Sequence, residues 1–130
     1  MLKIGLSTCG FTPDEEAFGK LAAAGIDAVE LSMEKGYMDA LDFAAVKGYA
    51  DAFGVEIWSC HLPFYPFEVV DLSALDPALR ERTLVYYENL IAKASAAANT
   101  DDHVKLTWGV GETGMPVYGA VQLIAAESGM

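Results

Sequence analysis

Cysteine is scarce in this chain: Cys9 and Cys60 are the only two among its 130 residues. Two cysteines so far apart match neither the ligand spacing of a zinc site nor a disulfide framework. Free thiols are typical of reducing compartments, so we expect a cytoplasmic protein. The first residues also lack the long apolar segment of a signal peptide, because a short apolar run gives way to polar residues at Thr8.

Basic residues are few as well: 8 Lys and Arg face 19 Asp and Glu, which gives a net charge of −11. No cluster of basic side chains is present to neutralise phosphate groups, so we expect neither nucleic acid nor an anionic membrane surface as a partner. No apolar stretch reaches the ~20 residues that a membrane-spanning helix needs. The hydrophobic fraction of 53% nevertheless predicts a well-packed core.

Strand and helix patterns alternate along the first three quarters of the chain. We predict strands over residues 3–7, 28–32 and 55–60, each followed by a polar or turn-rich segment and then a helix. Such alternation is typical of α/β proteins with a parallel sheet. The sequence therefore predicts successive parallel βα units.

The first helix has recognisable end signals. Thr12 is the predicted N-cap, with Pro13 at the first helical position and Glu15 closing a capping box. Gly25 is the predicted C-terminal stop. For the second helix, Asp39 and Asp42 are alternative starts and Gly54 is the predicted end.

The two helix-to-strand junctions repeat each other. Gly25 and Gly54 lie 29 residues apart, and each is followed by a β-branched residue, an acid and then an apolar strand. That offset is the size of one βα unit. Glycine fits such a turn because it tolerates positive φ angles.

A long aromatic loop over residues 62–73 precedes the third helix. Asp76 is its predicted N-cap and Pro77 its first residue, and the helix is expected to end near residue 98. Beyond that point we predict an edge-type strand over residues 104–110, a loop over 111–114 and a helix over 115–126. Glycines at positions 109, 111 and 114 satisfy a GxGxxG spacing, but the surrounding context does not favour dinucleotide binding.

Residues 1–98 resemble the start of the xylose isomerase-like TIM barrels, a superfamily of sugar and sugar-phosphate isomerases and epimerases and their relatives. The matching segments are Lys3-Ile4-Gly5-Leu6-Ser7, Gly25-Ile26-Asp27-Ala28-Val29-Glu30-Leu31-Ser32 and Ser59-Cys60-His61-Leu62-Pro63-Phe64. The expected fold class is α/β, with parallel βα units of the TIM-barrel type, incomplete at three to four of eight units. We divide the chain into residues 1–98, the barrel-like units, and residues 99–130, an atypical tail.

The resemblance also implies a function. Complete members shift a proton beside a carbonyl through an enediolate, assisted by a divalent metal such as Mn, Mg or Zn held by side chains from later strands. The implied substrate is a small carbohydrate. Those later strands are not recognisable here, so we expect this chain alone to lack activity, with no metal or only a partial site.

Four residues are the candidate substrate contacts: His61, Glu30, Ser7 and Phe64. The resemblance places His61 in the substrate pocket, with metal binding as a further role, while a His bonded to backbone at a strand end is the structural alternative. Glu30 is either a pocket residue or a structural carboxylate, since an acid inside a barrel must be paired. Ser7, together with Cys9 and Phe11, lines the pocket or packs in a loop.

The aromatic residues near His61 have a structural interpretation too. Phe64, Tyr65 and Phe67 cover a substrate or form core under the long loop, and core is the favoured interpretation. Trp58 is expected in the core rather than as a sugar platform. No role is assigned to His103 or Trp108.

Eight βα units need roughly 200 residues or more, so a closed single-chain barrel does not fit this length. A truncated product, a frame-altered product and a small open α/β domain remain as explanations. An open half-barrel exposes its inner face, which we expect to be apolar, and this predicts self-association through the exposed sheet. The alternative function is a small non-enzymatic α/β binding module.

Overall fold

The computed structural model describes residues 2–97 and 105–108 of the chain. Its elements, in chain order, are β1 Gly5–Ser7, α1 Glu15–Ala23, β2 Ala28–Leu31, α2 Lys35–Asp39, α3 Phe43–Phe53, β3 Glu56–Leu62, α4 Pro77–Ala97 and β4 Lys105–Trp108. The predicted loop over 111–114, the helix over 115–126, the GxGxxG spacing and His103 lie outside the described residues.

The strands form one parallel sheet in the order β1-β2-β3-β4, so neighbours in sequence are neighbours in space. The predicted α/β class with parallel βα units is therefore confirmed. Among the described strands, β4 lies at one edge, as its alternating sequence predicts, and β1 lies at the other.

The helices cover one face of this sheet. α3 packs against both α1 and α4, which places these three helices in a common layer. Strand residues that point toward the layer are deeply buried, because apolar side chains from both layers interlock there. The strand members of this core are Val29, Leu31, Cys60 and Leu62, and their helix partners include Phe18, Leu21, Val46, Ala50, Tyr87 and Leu90.

A register shift interrupts the pairing of β2 with β3. Val29 pairs with Ile57, but Glu30 pairs with Ser59, so Trp58 is an extra residue in β3. An extra residue of this kind changes which side chains share a face of the sheet. Trp58 is 46% exposed, so its predicted place in the core is wrong.

The helix ends show which local signals decide the structure. Asp14, not Thr12, caps α1: its carboxylate accepts a hydrogen bond from the Ala17 backbone N–H at 2.9 Å. The predicted Thr12 cap is wrong because the Asp14 carboxylate, two residues later, satisfies the free backbone N–H. At α3, the Asp42 carboxylate accepts a hydrogen bond from the Ala45 N–H, which decides between the two predicted starts.

Both predicted glycine stops are confirmed. Gly25 has φ +76° and Gly54 has φ +67°, the left-handed conformation that glycine adopts at least cost. Asp76 also behaves as predicted, since its carboxylate accepts a hydrogen bond from the Ala78 N–H at the start of α4.

Two features were not predicted. The short helix α2 occupies residues 35–39, within a segment that carried no helix prediction. β3 also continues to Leu62, so His61 lies within the strand rather than after it. Within the described ranges, no helix combines the length and the hydrophobicity that crossing a membrane needs.

Two glycine substitutions test the backbone argument. An added Cβ at Gly54 or at Gly48, inside α3, meets no atom within 4 Å, so only backbone conformation distinguishes the two sites. Gly54→Ala is expected to lower the free energy of unfolding by about 1 kcal/mol because of the left-handed φ. Gly48→Ala is expected to raise it by up to about 1 kcal/mol. Urea denaturation of both variants measures this, and equal effects of the same sign would contradict it.

Candidate functional site at the carboxyl edge of the sheet

A row of polar side chains crosses the sheet on the face away from the helices. Ser7 of β1 pairs with Glu30 of β2, and Glu30 pairs with Ser59 of β3. Their strand neighbours Val29 and Cys60 point into the core, so alternation directs the polar side chains to the opposite face. We call these three residues, Ser7, Glu30 and Ser59, the polar row.

A hydrogen bond joins two members of the polar row. The Ser59 hydroxyl donates to Oε2 of Glu30 at 2.9 Å. Ser59 is buried and Glu30 is half-buried, so this bond helps to compensate the partial removal of a carboxylate from water. Sequence reasoning singled out Glu30 but missed Ser59 as its partner. The repeat offset of 29 residues, which aligns Glu30 with Ser59, was the available signal.

His61 follows the polar row toward the carboxyl end of β3. It lies two residues after Ser59 and therefore on the same face. Its Nδ1 atom is 2.9 Å from the carbonyl oxygen of Leu62. A carbonyl oxygen only accepts hydrogen bonds, so Nδ1 carries a hydrogen and donates it, which leaves Nε2 for other contacts. His61 is thus bonded to backbone, as its structural alternative predicts, and still has Nε2 for a further hydrogen bond.

Aromatic side chains gather beside His61. The ring of Phe64 lies 5.5 Å from the imidazole and 6.4 Å from the ring of Phe67, which in turn contacts Tyr65 edge-on at 6.0 Å. Phe64 and Tyr65 are exposed, so the favoured expectation that they form core is wrong for these two residues. The structure therefore brings two predicted contacts, His61 and Phe64, directly together.

Helix α4 holds the start of this aromatic loop. The buried Tyr87 hydroxyl donates to the Pro63 carbonyl at 2.6 Å. Burial raises the pKa of Tyr87, and the nearby Asp71 raises it further, so the phenol stays a neutral donor. The sequence marked Tyr87 only as a residue within the predicted third helix. Its role as an anchor depends on a contact with a residue 24 positions away.

Thr8 ties the carboxyl ends of β1 and β2 together. Its backbone N–H donates to the Glu30 carbonyl at 2.9 Å. Its hydroxyl accepts from the Ser32 N–H at 2.9 Å and lies 3.3 Å from the Ser32 carbonyl. Thr8 is fully buried, and no sequence pattern marks it as more than the residue after a strand.

The other predicted pocket-wall residues divide between two places. Cys9 and Phe11 line a 440 Å³ cavity between the loops that follow β1 and β2, together with Tyr37 and Leu41. Ser7 lies in the polar row, and its hydroxyl accepts a long hydrogen bond of 3.4 Å from the Cys9 N–H. The candidate contacts therefore form one continuous edge rather than a single enclosed pocket.

The two thiols differ sharply. Cys60 is fully buried on the helix side of the sheet, where desolvation raises its pKa to about 12, with the charge of Glu30 as a smaller cause. Cys9 is exposed. Reactivity follows the thiolate and its accessibility, so only Cys9 is expected to react in the folded protein.

The described residues do not supply a metal site. No group of three or more His, Cys, Asp or Glu side chains among them is close enough to hold a metal ion. Glu30 and His61 have suitable chemistry on the polar face, but a divalent ion needs more ligands than these. The metal that the resemblance implies therefore does not fit this set alone.

Comparison of the chain with protein-family models, with curated proteins and with solved structures finds no match.

The Ser59–Glu30 hydrogen bond can be tested by a double-mutant cycle. Ser59→Ala is expected to lower the free energy of unfolding by about 1–3 kcal/mol, because it removes a donor from a half-buried carboxylate. In a Glu30→Gln background the same change is expected to cost less, with a coupling energy of about 1 kcal/mol. Ser95→Ala, an exposed serine on α4, serves as the control. Equal costs of Ser59→Ala in both backgrounds would contradict the assignment.

Thiol reactivity tests the placement of the two cysteines. With Ellman's reagent, we expect one thiol to react rapidly in the native protein and both to react after unfolding in denaturant. Cys9→Ser is expected to abolish the rapid phase, while Cys60→Ser leaves it unchanged. Two thiols that react at similar rates in the native protein would show that Cys60 is not buried as described.

Proposed function

We propose that this chain forms the first βα units of a sugar isomerase or epimerase barrel of the xylose isomerase-like type, and that its carboxyl edge contacts the sugar. The observation that carries the proposal is the His61–Phe64 pair, which lies at the carboxyl end of β3 on the same sheet face as the polar row. Ligands of parallel α/β proteins bind at the carboxyl ends of strands.

The strand order supports the barrel over a doubly wound fold. Doubly wound sheets reverse their strand order and carry helices on both faces. Here the order is sequential, and α1, α3 and α4 share one layer. Right-handed crossovers in a sequential parallel sheet all lead to the same side, which is how a barrel wall is built.

The side chains support a carbohydrate as the ligand class. Nε2 of His61 is suited to accept a hydrogen bond from a sugar hydroxyl, because Nδ1 is already occupied by the Leu62 carbonyl. The partly exposed Phe64 ring next to it offers an apolar surface to the C–H face of a sugar ring. Glu30 and Ser59 add acceptors and a donor deeper on the same face.

The chemistry of proton transfer is not assigned to these residues. In the proposed complete barrel, a divalent metal would polarise the substrate oxygens, and most of its ligands would come from outside the described residues. The role proposed for this chain is to bind and orient the sugar through His61 and Phe64. The complete protein would interconvert ketoses or their epimers.

Sugar binding by the 130-residue chain tests the proposal. We expect titration with fructose and fructose 6-phosphate, with and without Mg²⁺, to shift the NMR signals of the His61 imidazole and the Phe64 ring. Binding through one imidazole and one aromatic ring should be weak, with a Kd on the order of 1 mM. His61→Ala is expected to abolish the Phe64 shifts. His103→Ala removes the chain's other histidine and is expected to retain them.

Two outcomes would count against this function. The absence of shifts with every sugar would leave the edge without a carbohydrate ligand and favour a non-enzymatic α/β binding module. Equal loss of binding in His61→Ala and His103→Ala would show that the imidazole of β3 is not the contact.

A further inference from the structure

We propose that two copies of this chain associate as the halves of one eight-stranded barrel, with β1 of each copy parallel to β4 of the other. The proposal rests on the barrel arrangement put forward above and not on the identity of the sugar. Three observations carry it: an exposed apolar edge, a mainly apolar groove beside α1, and four described strands, which are half the number in a closed barrel.

The edge at β1 is unusually apolar. Leu2, Ile4 and Leu6 occupy alternate positions and are 87%, 55% and 45% exposed. Leu6 pairs with Val29, whose side chain is completely buried in the helix-side core. The β1 side chains on that face thus lack the cover that β2 and β3 receive from the helix layer.

A groove continues this apolar edge. A cavity of 710 Å³ lies between β1 and α1. Six of its ten lining residues are apolar, among them Leu6, Leu21 and Ile26, and the other four are Thr12, Asp14, Glu16 and Lys20. In a barrel, each strand is flanked on its outer face by two helices, its own and that of the preceding unit. β1 has α1 on one flank only, so the groove marks the place of a helical unit that precedes it in space.

The backbone at the edge is also available for pairing. The Thr8 N–H points inward and donates to the Glu30 carbonyl. Because N–H directions alternate along a strand, the Gly5 and Ser7 N–H groups point toward the open edge. An open strand edge of this kind accepts a further strand readily unless it is protected.

The occupant that fits this edge is a second copy of the chain. The described sheet has four sequential parallel strands, with β1 and β4 at its ends. TIM barrels close with eight parallel strands. A two-fold rotation about the barrel axis places β4 of the partner copy beside β1, and β1 of the partner copy beside β4. Two equivalent strand contacts then pair both open edges of each copy. Closed two-fold pairs are the commonest form of homo-oligomer.

This closure would complete the site as well as the sheet. The polar rows of the two copies would face each other across one barrel interior, with both His61 side chains at the same carboxyl end. Each copy would then contribute Glu30 and His61 to a shared interior, which neither copy encloses alone.

The oligomeric state of the full chain tests the proposal. Sedimentation equilibrium and light scattering, from micromolar to submillimolar protein, are expected to show a species of twice the 13.9 kDa chain mass. Ile4→Lys, which puts a charge on the β1 edge, is expected to weaken the dimer at least about tenfold. Leu75→Lys is the matched control, since Leu75 is 87% exposed in the loop before α4. This control is expected to leave the dimer intact.

Hydrogen exchange locates the interface. Closure predicts protection, increasing with protein concentration, of the Gly5 and Ser7 amides and of amides in residues 105–108. Protection confined to β1 would indicate pairing of two β1 edges and overturn the closed barrel.

Several outcomes would overturn the proposal. A monomer at every concentration would do so, and so would open-ended oligomers. A monomer with protected β1 amides would show that residues of the same chain cover the edge. The sugar titration distinguishes failure of this proposal from failure of the proposed function. A monomer that binds sugar through His61 would overturn only the dimer. A dimer whose NMR signals do not respond to any sugar would overturn only the sugar site.

Discussion

The single extra residue in β3 is the constraint on which the core and the candidate site both depend. Upstream of it, Ala28 pairs with Glu56 and Val29 with Ile57. If that register continued, Trp58 would lie opposite Glu30, and Ser59 would point into the helix layer. The shift at Trp58 avoids this outcome, because a one-residue change of register exchanges the two faces of a strand.

The register shift at Trp58 places side chains correctly in both the core and the candidate site. Downstream of Trp58, Cys60 and Leu62 enter the buried cluster, and Ser59 comes beside Glu30. A register without the shift would bury the Ser59 hydroxyl and the His61 imidazole among apolar side chains. Each buried polar group would destabilise the folded state unless it found a hydrogen-bond partner. The shift costs little by comparison, since Trp58 is displaced to a partly exposed position where its size is tolerated.

The sequence predicted what local chemistry decides. Gly25, Gly54, Asp42 and Asp76 act through backbone groups a few residues away, so their roles are readable from the chain alone. The alternation of strands and helices likewise predicted a parallel α/β sheet, because helices between strands bring them back in the same direction.

What sequence reasoning missed depends on pairing between distant segments. The Trp58 shift, the Thr8 contacts with β2 and the anchor from Tyr87 to Pro63 each join residues from different elements. His61 fell outside the predicted strand for a related reason. The predicted strand ended at residue 60, whereas pairing with β4 extends β3 through Leu62. The cap at α1 is the exception, since it is a local feature that was predicted wrongly: Thr12 was the expected cap, and Asp14 takes that role.

The open β1 edge and the polar face are both explained by the barrel arrangement proposed above. A parallel sheet is normally covered on both faces, and here the helix layer accounts for one of them. The opposite face carries Glu30, Ser59 and His61, which an ordinary apolar layer would not satisfy. A barrel satisfies them differently, by turning that face toward further strands with polar groups of their own. Closing the β1 edge would therefore enclose the polar row, and enclosure would strengthen the Ser59–Glu30 bond by lowering the local dielectric. The side chains that make this face unsuitable for a second helix layer are also the ones on which the proposed sugar contact depends.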